Sequence, residues 1–343
     1  MSARLAVVGA SGLVGATVLT VLAGRRLGAR PLDLVVHRRE PTEIPSGLET
    51  RVCLLDDYDF AGVELAFFCL DEQGAERHIP RALAAGAWVV DNSSLHRLAP
   101  DVPLAVPGVN DTDWHACAPR RIVANPNCST IQLVHALAPL EERWGLSEVA
   151  VATYQAVSGA GREALEDFRR SCVCPAEALP PPIRGVARPL LHDVVAEIGP
   201  LDEEGWSREE RKIVRETRRI LGRPDLTVRA TAVRVPVAVG HGEAVFVRLD
   251  RPADVSEVRT TLAARPPLRV YDDLAAGRAP SPRVEAAGKD EVAVGRLRLG
   301  PDDPRLLSFW IVADNLRRGA ATNAVEIAEC LLAAAQGAKS RSG

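Results

Sequence analysis

The sequence predicts an α/β protein with two domains, a doubly wound parallel sheet followed by an α+β domain. Three observations predict this architecture: the chain length, alternating strand and helix patterns in the first third, and alternating strand patterns further on. A chain of 343 residues is longer than one hydrophobic core usually serves. Hydrophobic residues make up 47% of it, which is enough for two packed cores.

The first third of the chain alternates short apolar runs with helical patterns. Such alternation is typical of a parallel sheet whose strands are joined by crossover helices. We predict strands at Leu5–Val8, Leu32–Val36, Leu65–Phe68 and Trp88–Val90. We predict helices at Leu13–Ala23 and around Glu76–Ala85.

The later part of the chain has strand patterns with apolar residues at every second position, which indicate an antiparallel sheet. These strands are predicted at Val149–Ala156, Thr227–Val235, Ala244–Leu249 and Val292–Leu299. A charged helix is predicted at Ser207–Leu221, opened by a capping box of Ser207 and Glu210, and a last amphipathic helix at Ala320–Ala335. We therefore predict a first domain of residues 1–127, completed by the C-terminal helix at about 315–336, and a second domain of residues 128–314.

Bulk composition narrows the class of protein. The formal net charge of -3 and the lack of a dense basic run argue against a nucleic-acid partner. No apolar stretch reaches the roughly 18 residues of a membrane span, and the N-terminus does not read as a signal peptide. The seven cysteines lack metal-ligand spacing. We therefore expect a cytoplasmic protein with reduced cysteines, no metal site and no membrane partner.

A glycine-rich turn follows the first predicted strand and opens the first predicted helix. Gly9, Gly12 and Gly15 have GxxGxxG spacing, which is looser than the strict dinucleotide fingerprint. Glycines at this place let the backbone approach a pyrophosphate, and the helix N-terminus favours its negative charge. The context therefore predicts a Rossmann-like dinucleotide-binding domain, whereas glycines alone would indicate only a tight turn.

Two arginines follow the second predicted strand. An NAD site usually has an acidic residue here, which holds the ribose 2′-hydroxyl, but this chain has Arg38 and Arg39. Arginine can pair with a 2′-phosphate through two parallel hydrogen bonds. The pair predicts NADP as the cofactor; the alternative is that both arginines are exposed loop residues.

The strongest candidate nucleophile is Cys128, which comes just before a predicted helix. A thiol at a helix N-terminus ionises more readily and becomes a better nucleophile. A proton partner is needed, and His241 is a candidate because Gly240 lets the backbone turn before it. Arg234 lies on a predicted strand shortly before Gly240 and His241. Each residue alone is more often structural, so only the combination indicates catalysis.

These motifs, taken in order, resemble the aspartate-semialdehyde dehydrogenase family over nearly the whole chain, from about Leu5 to Ala335. The matching stretches are Gly9–Gly15, Asp91–Arg97, Asn125–Gln132, Thr153–Gly161, Glu209–Lys212, Arg234–His241 and Ala313–Asn323. The chain departs from the family pattern at Gly108, where an acidic residue is usual, and at Glu326, where glutamine is usual. It also has Cys69 where a small, Gly-rich segment is usual.

The resemblance implies a role for each matching position. It makes Cys128 the acyl-thioester nucleophile, His241 the acid/base and Gln155 the residue that orients the acyl group. The implied substrate ligands are Arg234 for the α-carboxylate, Glu209 for the amino group, and Arg97, Asn127 and Lys212 for phosphate. The implied cofactor contacts, beside Gly9, Gly15, Arg38 and Arg39, are Ser11, Gly12, Leu13, Val14, Ser158, Gly159 and Asn315.

The resemblance also implies a reaction: NADP-dependent interconversion of aspartate semialdehyde plus phosphate and 4-phospho-aspartate, in lysine, threonine, methionine and isoleucine biosynthesis. It implies a homodimer as well. Two alternatives stay open at this point. One is another acyl-phosphate reductase, such as N-acetyl-glutamyl-phosphate reductase, against which the Glu209 and Arg234 pair speaks. The other is a non-catalytic paralogue that binds nucleotide, although loss of Cys128 or His241 would be its usual mark.

Overall fold

The structure is a computed structural model that describes residues 4–25, 27, 30–38, 43–112, 114–173, 183–186, 188–273, 275 and 277–341. It contains two compact units, Met1–Pro126 with Ala320–Gly343, and Asn127–Gly319. None of the described helices is long and apolar enough to cross a membrane.

The first unit contains a six-stranded sheet with strand order β3-β2-β1-β4-β5-β6, in which every neighbouring pair is parallel. This is the order of a doubly wound dinucleotide-binding fold, and it confirms the predicted fold class of the N-terminal part. Its strands are β1 Arg4–Val8, β2 Leu32–Val36, β3 Thr50–Leu54, β4 Val63–Phe68, β5 Trp88–Asp91 and β6 Ile122–Ala124. Its helices are α1 Leu13–Ala23, α2 Glu72–Ala84, α3 Trp114–Cys117 and α8 Thr322–Arg341.

The core of the first unit explains why the central strands form. The apolar side chains of β1 and β4 are fully buried, as expected for parallel strands covered on both faces. Helices α1 and α8 contribute to the same core through residues such as Leu19, Leu22 and Val325. The sequence pattern predicted four of the six strands. It missed β3, which is mostly exposed or half-buried, and β6, which is only three residues long.

The departures from the family pattern at Gly108, Glu326 and Cys69 lie in this unit. Gly108 has φ 81°, a left-handed conformation that suits glycine. The side chain of Glu326 pairs with Arg25 at 3.4 Å. Burial raises the pKa of the Cys69 thiol to about 12, so this cysteine stays protonated and is not a nucleophile near neutral pH.

The second unit contains a six-stranded mixed sheet with strand order β10-β11-β12-β9-β7-β8. Its strands are β7 Leu146–Gln155, β8 Thr227–Arg234, β9 His241–Leu249, β10 Leu268–Val270, β11 Val292–Leu299 and β12 Leu306–Ala313. Its helices are α4 Cys128–Trp144, α5 Arg162–Ser171, α6 Arg208–Ile220 and α7 Val255–Ala263. A 3-10 turn covers Val157–Ala160, and π-helical turns cover Pro282–Ala286 and Arg317–Ala321.

The prediction of an antiparallel sheet was wrong in part. The β7–β8 and β10–β11 pairs are parallel, whereas the three pairs between them are antiparallel. Helices α5 and α6 lie between β7 and β8 in the chain, so a long crossover is available to return the strand in the same direction. Strand β12 was also missed, because its apolar run hides the alternation that marks a strand.

One face of this sheet is covered and the other is open. Helix α4 is buried along almost its whole length, and Leu137 and Leu140 pack in one core with Val245 and Phe309 of the sheet. On strands β7, β9 and β12, Tyr154, Phe246 and Leu306 are exposed despite their size. An open apolar sheet face of this kind is typical of a protein–protein interface.

Candidate active site

Cys128 is the first residue of helix α4 and is half-buried. The preceding residue, Asn127, caps the helix: its side-chain oxygen accepts hydrogen bonds from the backbone N–H groups of Ser129, at 3.0 Å, and Thr130, at 3.3 Å. Gly319 lies directly against the nucleophile, because a Cβ added there would stand 2.9 Å from Cβ of Cys128. The cysteine is therefore placed at a capped helix N-terminus, where negative charge on sulfur is favoured.

Helix α6 holds the residue before the cysteine through two buried glutamates. Glu209 accepts a hydrogen bond of 2.7 Å from the side-chain amide of Asn127, and Glu216 accepts one of 2.6 Å from its backbone N–H. The two glutamates are two helical turns apart and so share a face of α6. A third, Glu210, completes the capping box with Ser207 that the sequence predicted. Helix α6 thus fixes the start of α4 by both the side chain and the backbone of Asn127.

His241 begins strand β9 and is fully buried. Its Nδ1 accepts a hydrogen bond of 3.0 Å from the backbone N–H of Ala156, so the proton of the neutral ring lies on Nε2. Nε2 is buried and has no hydrogen-bond partner within the described residues. Burial lowers the pKa of His241 well below its ordinary value, and the charge of Arg234 lowers it further. The ring is therefore neutral near pH 7, with an N–H group available to a reacting oxygen.

Arg234 ends strand β8 and is also buried. Its Nη1 donates a hydrogen bond of 2.7 Å to the carbonyl oxygen of Ala156, which is the one hydrogen bond that its guanidinium makes in the described part of the chain. Burial lowers its pKa, while the charges of Glu209 and Cys128 raise it. The guanidinium therefore lies within electrostatic reach of both the predicted nucleophile and a predicted substrate ligand, and retains N–H groups for a carboxylate.

Gln155 and Lys212 both contact the carboxylate of Glu209. Gln155 donates to Glu209 Oε1 at 3.3 Å and to Thr153 at 3.3 Å. The ammonium of Lys212 lies 3.6 Å from the second oxygen of Glu209, on the same helix. The structure thus brings together Cys128, Asn127, Gln155, Glu209 and Arg234.

The 3-10 turn after β7 carries two of the predicted cofactor contacts. Its residue Gly159 is exposed and packs against both Arg234 and His241, since a Cβ there would stand 2.9 Å from Nη1 and 3.4 Å from Nε2. Ser158 is buried, and its hydroxyl donates to the side-chain oxygen of Asn315 at 3.0 Å. The same oxygen accepts from the backbone N–H of Gly240 at 2.9 Å. Asn315 therefore ties this turn to the residue that precedes His241.

The glycine-rich turn in the first unit has the shape that a pyrophosphate needs. Gly9 has φ 84°, and a Cβ there would stand 2.5 Å from the carbonyl oxygen of Cys69. A Cβ at Gly15 would overlap the carbonyl oxygen of Gly9. Helix α1 begins after Gly12 without a side-chain cap and without an acidic residue in its first turn. Its N-terminus, which includes Leu13 and Val14, therefore fits an anionic cofactor group.

The predicted basic ligands of this unit differ in their surroundings. Arg38 is exposed after β2, and Arg39 lies outside the described residues. Arg97 is buried, and its Nη2 donates to the carbonyl oxygen of Asn92 at 2.9 Å. The guanidinium of Arg97 is thus fixed by the loop that follows β5, whereas Arg38 is open to solvent.

Sequence reasoning missed three residues of the second unit that adjoin these groups: Glu216, Glu243 and Gly319. The spacing of seven residues between Glu209 and Glu216 could have indicated that both face the same way. Glu243 stands two residues after His241 on a strand, and so on the same face. Gly319 gives no local signal, because its approach to Cys128 depends on tertiary packing.

Comparisons with known proteins cover nearly the whole chain. The family described as "Semialdehyde dehydrogenase, NAD binding domain" matches residues 4–116, and "Semialdehyde dehydrogenase, dimerisation domain" matches residues 137–318. Aspartate-semialdehyde dehydrogenase of Legionella pneumophila is 40% identical over 330 residues, which are 96% of this chain and 95% of that protein. The enzyme of the same name from Bacillus subtilis is 38% identical, over 96% of this chain and 97% of that protein.

The solved structures that this chain resembles are also named as aspartate-semialdehyde dehydrogenases. Aspartate semialdehyde dehydrogenase II of Vibrio cholerae, crystallised in complex with ASA, is similar with a TM-score of 0.91 and 34% identity. That match covers 97% of this chain and 98% of the other. A probable aspartate-semialdehyde dehydrogenase from Pseudomonas aeruginosa matches with a TM-score of 0.84 and 29% identity, over 97% of this chain and 99% of the other.

Proposed function

The chain belongs to the aspartate-semialdehyde dehydrogenase family, and we propose from this that it interconverts L-aspartate 4-semialdehyde plus phosphate and 4-phospho-L-aspartate with NADP. The membership confirms the resemblance found in the sequence. One observation carries the proposal for this chain's own residues: Cys128 stands at a capped helix N-terminus within electrostatic reach of the buried Arg234. A cysteine so placed is suited to covalent catalysis.

In the biosynthetic direction Cys128 displaces phosphate from the acyl phosphate. The sulfur–carbon bond forms as the carbon–oxygen bond to phosphate breaks, which leaves a thioester on the enzyme. When bound, the nicotinamide supplies the hydride that reduces this thioester. The resulting tetrahedral alkoxide then breaks its bond to sulfur and leaves as the aldehyde, which returns the thiolate. The leaving phosphate takes up one proton from solvent, which is the proton that the net reaction consumes, and the protein returns to its starting thiolate form.

His241 has the position of an oxyanion ligand in this scheme. Its Nε2–H is a donor that can stabilise negative charge on the reacting oxygen, and a donor fixed in a buried site is worth more than one in water. Its Nδ1 is occupied by the N–H of Ala156, and its low pKa disfavours the imidazolium form. We therefore narrow the acid/base role predicted from the sequence to that of a hydrogen-bond donor.

We assign substrate recognition to the buried polar residues. Arg234 binds the α-carboxylate, because its guanidinium retains N–H groups beyond the one bound to Ala156. Glu209 binds the α-amino group and Gln155 orients the acyl group, which accords with their shared hydrogen bond. Lys212 and Asn127 are the phosphate ligands in this unit, and for Arg97 of the first unit we retain phosphate binding as a separate prediction.

Steady-state assays with purified protein test this function. Aspartate semialdehyde, phosphate and NADP should give NADPH, and omission of phosphate should stop turnover. N-acetyl-glutamate semialdehyde should be a poor substrate, because its blocked amino group cannot pair with Glu209. A preference for the acetylated substrate would instead favour the related acyl-phosphate reductase.

The first unit is the NAD-binding domain of this family, and we propose that it prefers NADP. The shape of the turn at Gly9 and Gly15 supports pyrophosphate binding, and Arg38 supplies a cation in place of the usual acidic residue. An arginine–phosphate pair is worth about 1.5–3 kcal/mol, so NADP should be used about tenfold to a hundredfold more efficiently than NAD.

Substitution of Arg38 checks this preference. Arg38→Ser should lower kcat/KM for NADP by about tenfold and leave that for NAD nearly unchanged, since only the 2′-phosphate is affected. Arg77→Ser, an exposed arginine on α2, is the matched control and should change neither value. Equal loss with both cofactors in the Arg38 variant would show that this arginine does not recognise the 2′-phosphate.

We propose that two copies of the chain associate through the open face of the second sheet. Three observations support this: Phe246 is 47% exposed, Tyr154 is 39% exposed, and the ring of Tyr154 packs on Trp310 at 5.4 Å to form a broad aromatic surface. In a twofold dimer the same residue of both chains lies in the interface, so one substitution changes the interface at two places. Phe246→Arg should therefore weaken the dimer by about a hundredfold or more, because each interface buries two unpaired charges.

Light scattering after size-exclusion chromatography measures this effect. Wild type should elute as a dimer, and the Phe246→Arg variant should shift towards the monomer at micromolar concentration. Val173→Arg, which changes an exposed apolar residue off the sheet, should stay dimeric. A dimer unaffected by Phe246→Arg would place the interface elsewhere.

A further inference from the structure

Glu243 is a buried acidic residue to which the proposed mechanism gives no role. It lies on β9 two residues after His241, so both side chains point to the same face of the sheet. Its side chain is fully buried, and neither carboxyl oxygen has a hydrogen-bond partner within the described residues. A buried acid in this state needs an explanation, because unpaired buried polar groups are rare and destabilising.

Glu243 has neighbours from two strands of the sheet and from helix α4. In the sheet it stands opposite Thr153 of β7 and Ile311 of β12. From α4, the side chains of Ser129 and Gln132 lie against its carboxyl group. Ser129 Oγ and Gln132 Nε2 are likewise buried without a partner. Four unpaired polar atoms thus meet between β9 and the first two turns of α4, directly after Cys128.

The protonation state of this acid follows from its surroundings. Burial raises the pKa of Glu243 to about 8, and the contacts with Gln132 and Ser129 offset only part of that effect. The titratable groups nearest to it along these elements are His241 on β9, whose pKa burial and Arg234 hold well below its ordinary value, and Cys128 and His135 on the first two turns of α4; burial lowers the pKa of His135 to about 3. Thr153 and Ile311 do not titrate. Near neutral pH, Glu243 is therefore mainly a neutral carboxylic acid, and the two histidines are neutral as well.

We propose that Glu243 is a positioning residue, which as a neutral acid fixes the first turns of α4 and so sets the place of Cys128. Its O–H group donates to Ser129 Oγ, and its carbonyl oxygen accepts from Gln132 Nε2, so that all four polar atoms gain a partner. The inference rests on the proposed role of Cys128 as the nucleophile.

The proposal implies a loss of activity at alkaline pH. Ionised Glu243 has no proton to donate, and it places an unpaired charge beside α4. The folded pKa of about 8 lies above the ordinary value of 4.5, so the folded protein binds this proton more tightly than the unfolded chain. The contribution of Glu243 to the free energy of unfolding is fully present below pH 4.5 and is lost as pH rises through about 8. Both kcat/KM and the melting temperature should fall over the upper part of that range.

Two variants test the inference. In Glu243→Gln the amide keeps one donor and one acceptor but cannot ionise, whereas Glu243→Leu removes both. We expect the leucine variant to lose about tenfold to a hundredfold in kcat, and the glutamine variant to recover most of it. The fall in kcat/KM above about pH 8 should disappear in Glu243→Gln. Glu203→Gln, an exposed acid in the same unit, should keep the wild-type profile.

A second readout separates this inference from the proposed function. The rate at which iodoacetamide alkylates Cys128, followed by peptide mass, needs no substrate. Wild type and Glu243→Gln should diverge above about pH 8, with the wild-type thiol the slower. The role of Glu243 would be overturned if Glu243→Gln showed the same alkaline fall in kcat/KM as wild type and the same dependence of the alkylation rate on pH. That result would leave the proposed function intact. An enzyme inactive on aspartate semialdehyde at every pH would instead overturn the proposed function, and the alkylation profile would still decide on Glu243.

Discussion

Cys128→Ser is expected to lose at least about 10³-fold in kcat while it still folds and binds NADP. A hydroxyl is far less ionised than a thiol near neutral pH, and it is a weaker nucleophile. The substitution changes one atom, and the cap formed by Asn127 does not depend on the sulfur, so the helix start should remain in place. Steady-state rates and equilibrium titration of NADP measure the two halves of this expectation.

Exposed cysteines provide the control for this experiment. Cys172→Ser changes the same atom at a solvent-exposed position and should leave kcat within about twofold of wild type. Activity near wild type in Cys128→Ser would remove this residue from the chemistry. Loss of NADP binding together with turnover would point to misfolding, which a melting curve would reveal.

Arg234→Lys is expected to have the second largest effect, a loss of about a hundredfold in kcat/KM for aspartate semialdehyde with little change in KM for NADP. The guanidinium can hold the carbonyl oxygen of Ala156 and still present N–H groups to a carboxylate, whereas a single ammonium cannot reproduce that fork. KM should rise because the ground state is bound less well. Displacement of the aldehyde carbon from Cys128 should also lower kcat.

The same strand offers a matched control. Arg229 lies five residues earlier on β8 and is exposed, so Arg229→Lys should leave both constants unchanged. Because Arg234 is buried, thermal unfolding of both variants must be compared with wild type. Unchanged aldehyde kinetics in a folded Arg234→Lys protein would exclude a role in carboxylate binding and weaken the case for an amino-acid substrate.

The predicted strands of the first unit show which parts of a fold the sequence determines locally. Leu5–Val8 of β1 and Leu65–Phe68 of β4 are continuous apolar runs because helices cover both faces of the sheet. Strand β3 lies at the edge of the sheet and mixes exposed with half-buried residues, so its pattern is weak. Edge strands are held by their neighbours more than by their own side chains, and local periodicity therefore missed this one.

Strand direction in the second sheet shows where local patterns fail. The alternation in β8 identified a half-buried strand, but it carries no information on whether the neighbour runs parallel or antiparallel. The parallel β7–β8 pair depends on the crossover formed by α5 and α6. A prediction of orientation would have needed the chain connectivity as well as the periodicity.

The residues of the candidate site also fall into those that local sequence patterns identify and those that depend on tertiary packing. Cys128 was found because the start of a helix can be predicted locally, whereas Asn127 was named only because its stretch of sequence matches the family. Arg234 and His241 lie at the ends of strands that local periodicity also identifies. The contacts of Glu216 and Glu243 join elements far apart in the chain, and the sequence shows them only as acids in a helix and a strand.

The most direct test of covalent catalysis is a single-turnover experiment without phosphate. Wild-type protein mixed with aspartate semialdehyde and NADP should release NADPH in a burst close to one equivalent of active sites. Peptide mass should then place an aspartyl group on Cys128, and added phosphate should remove that group and restart turnover. A burst with no acyl group on Cys128, or an acyl group on another residue, would contradict the assignment of this cysteine as the nucleophile.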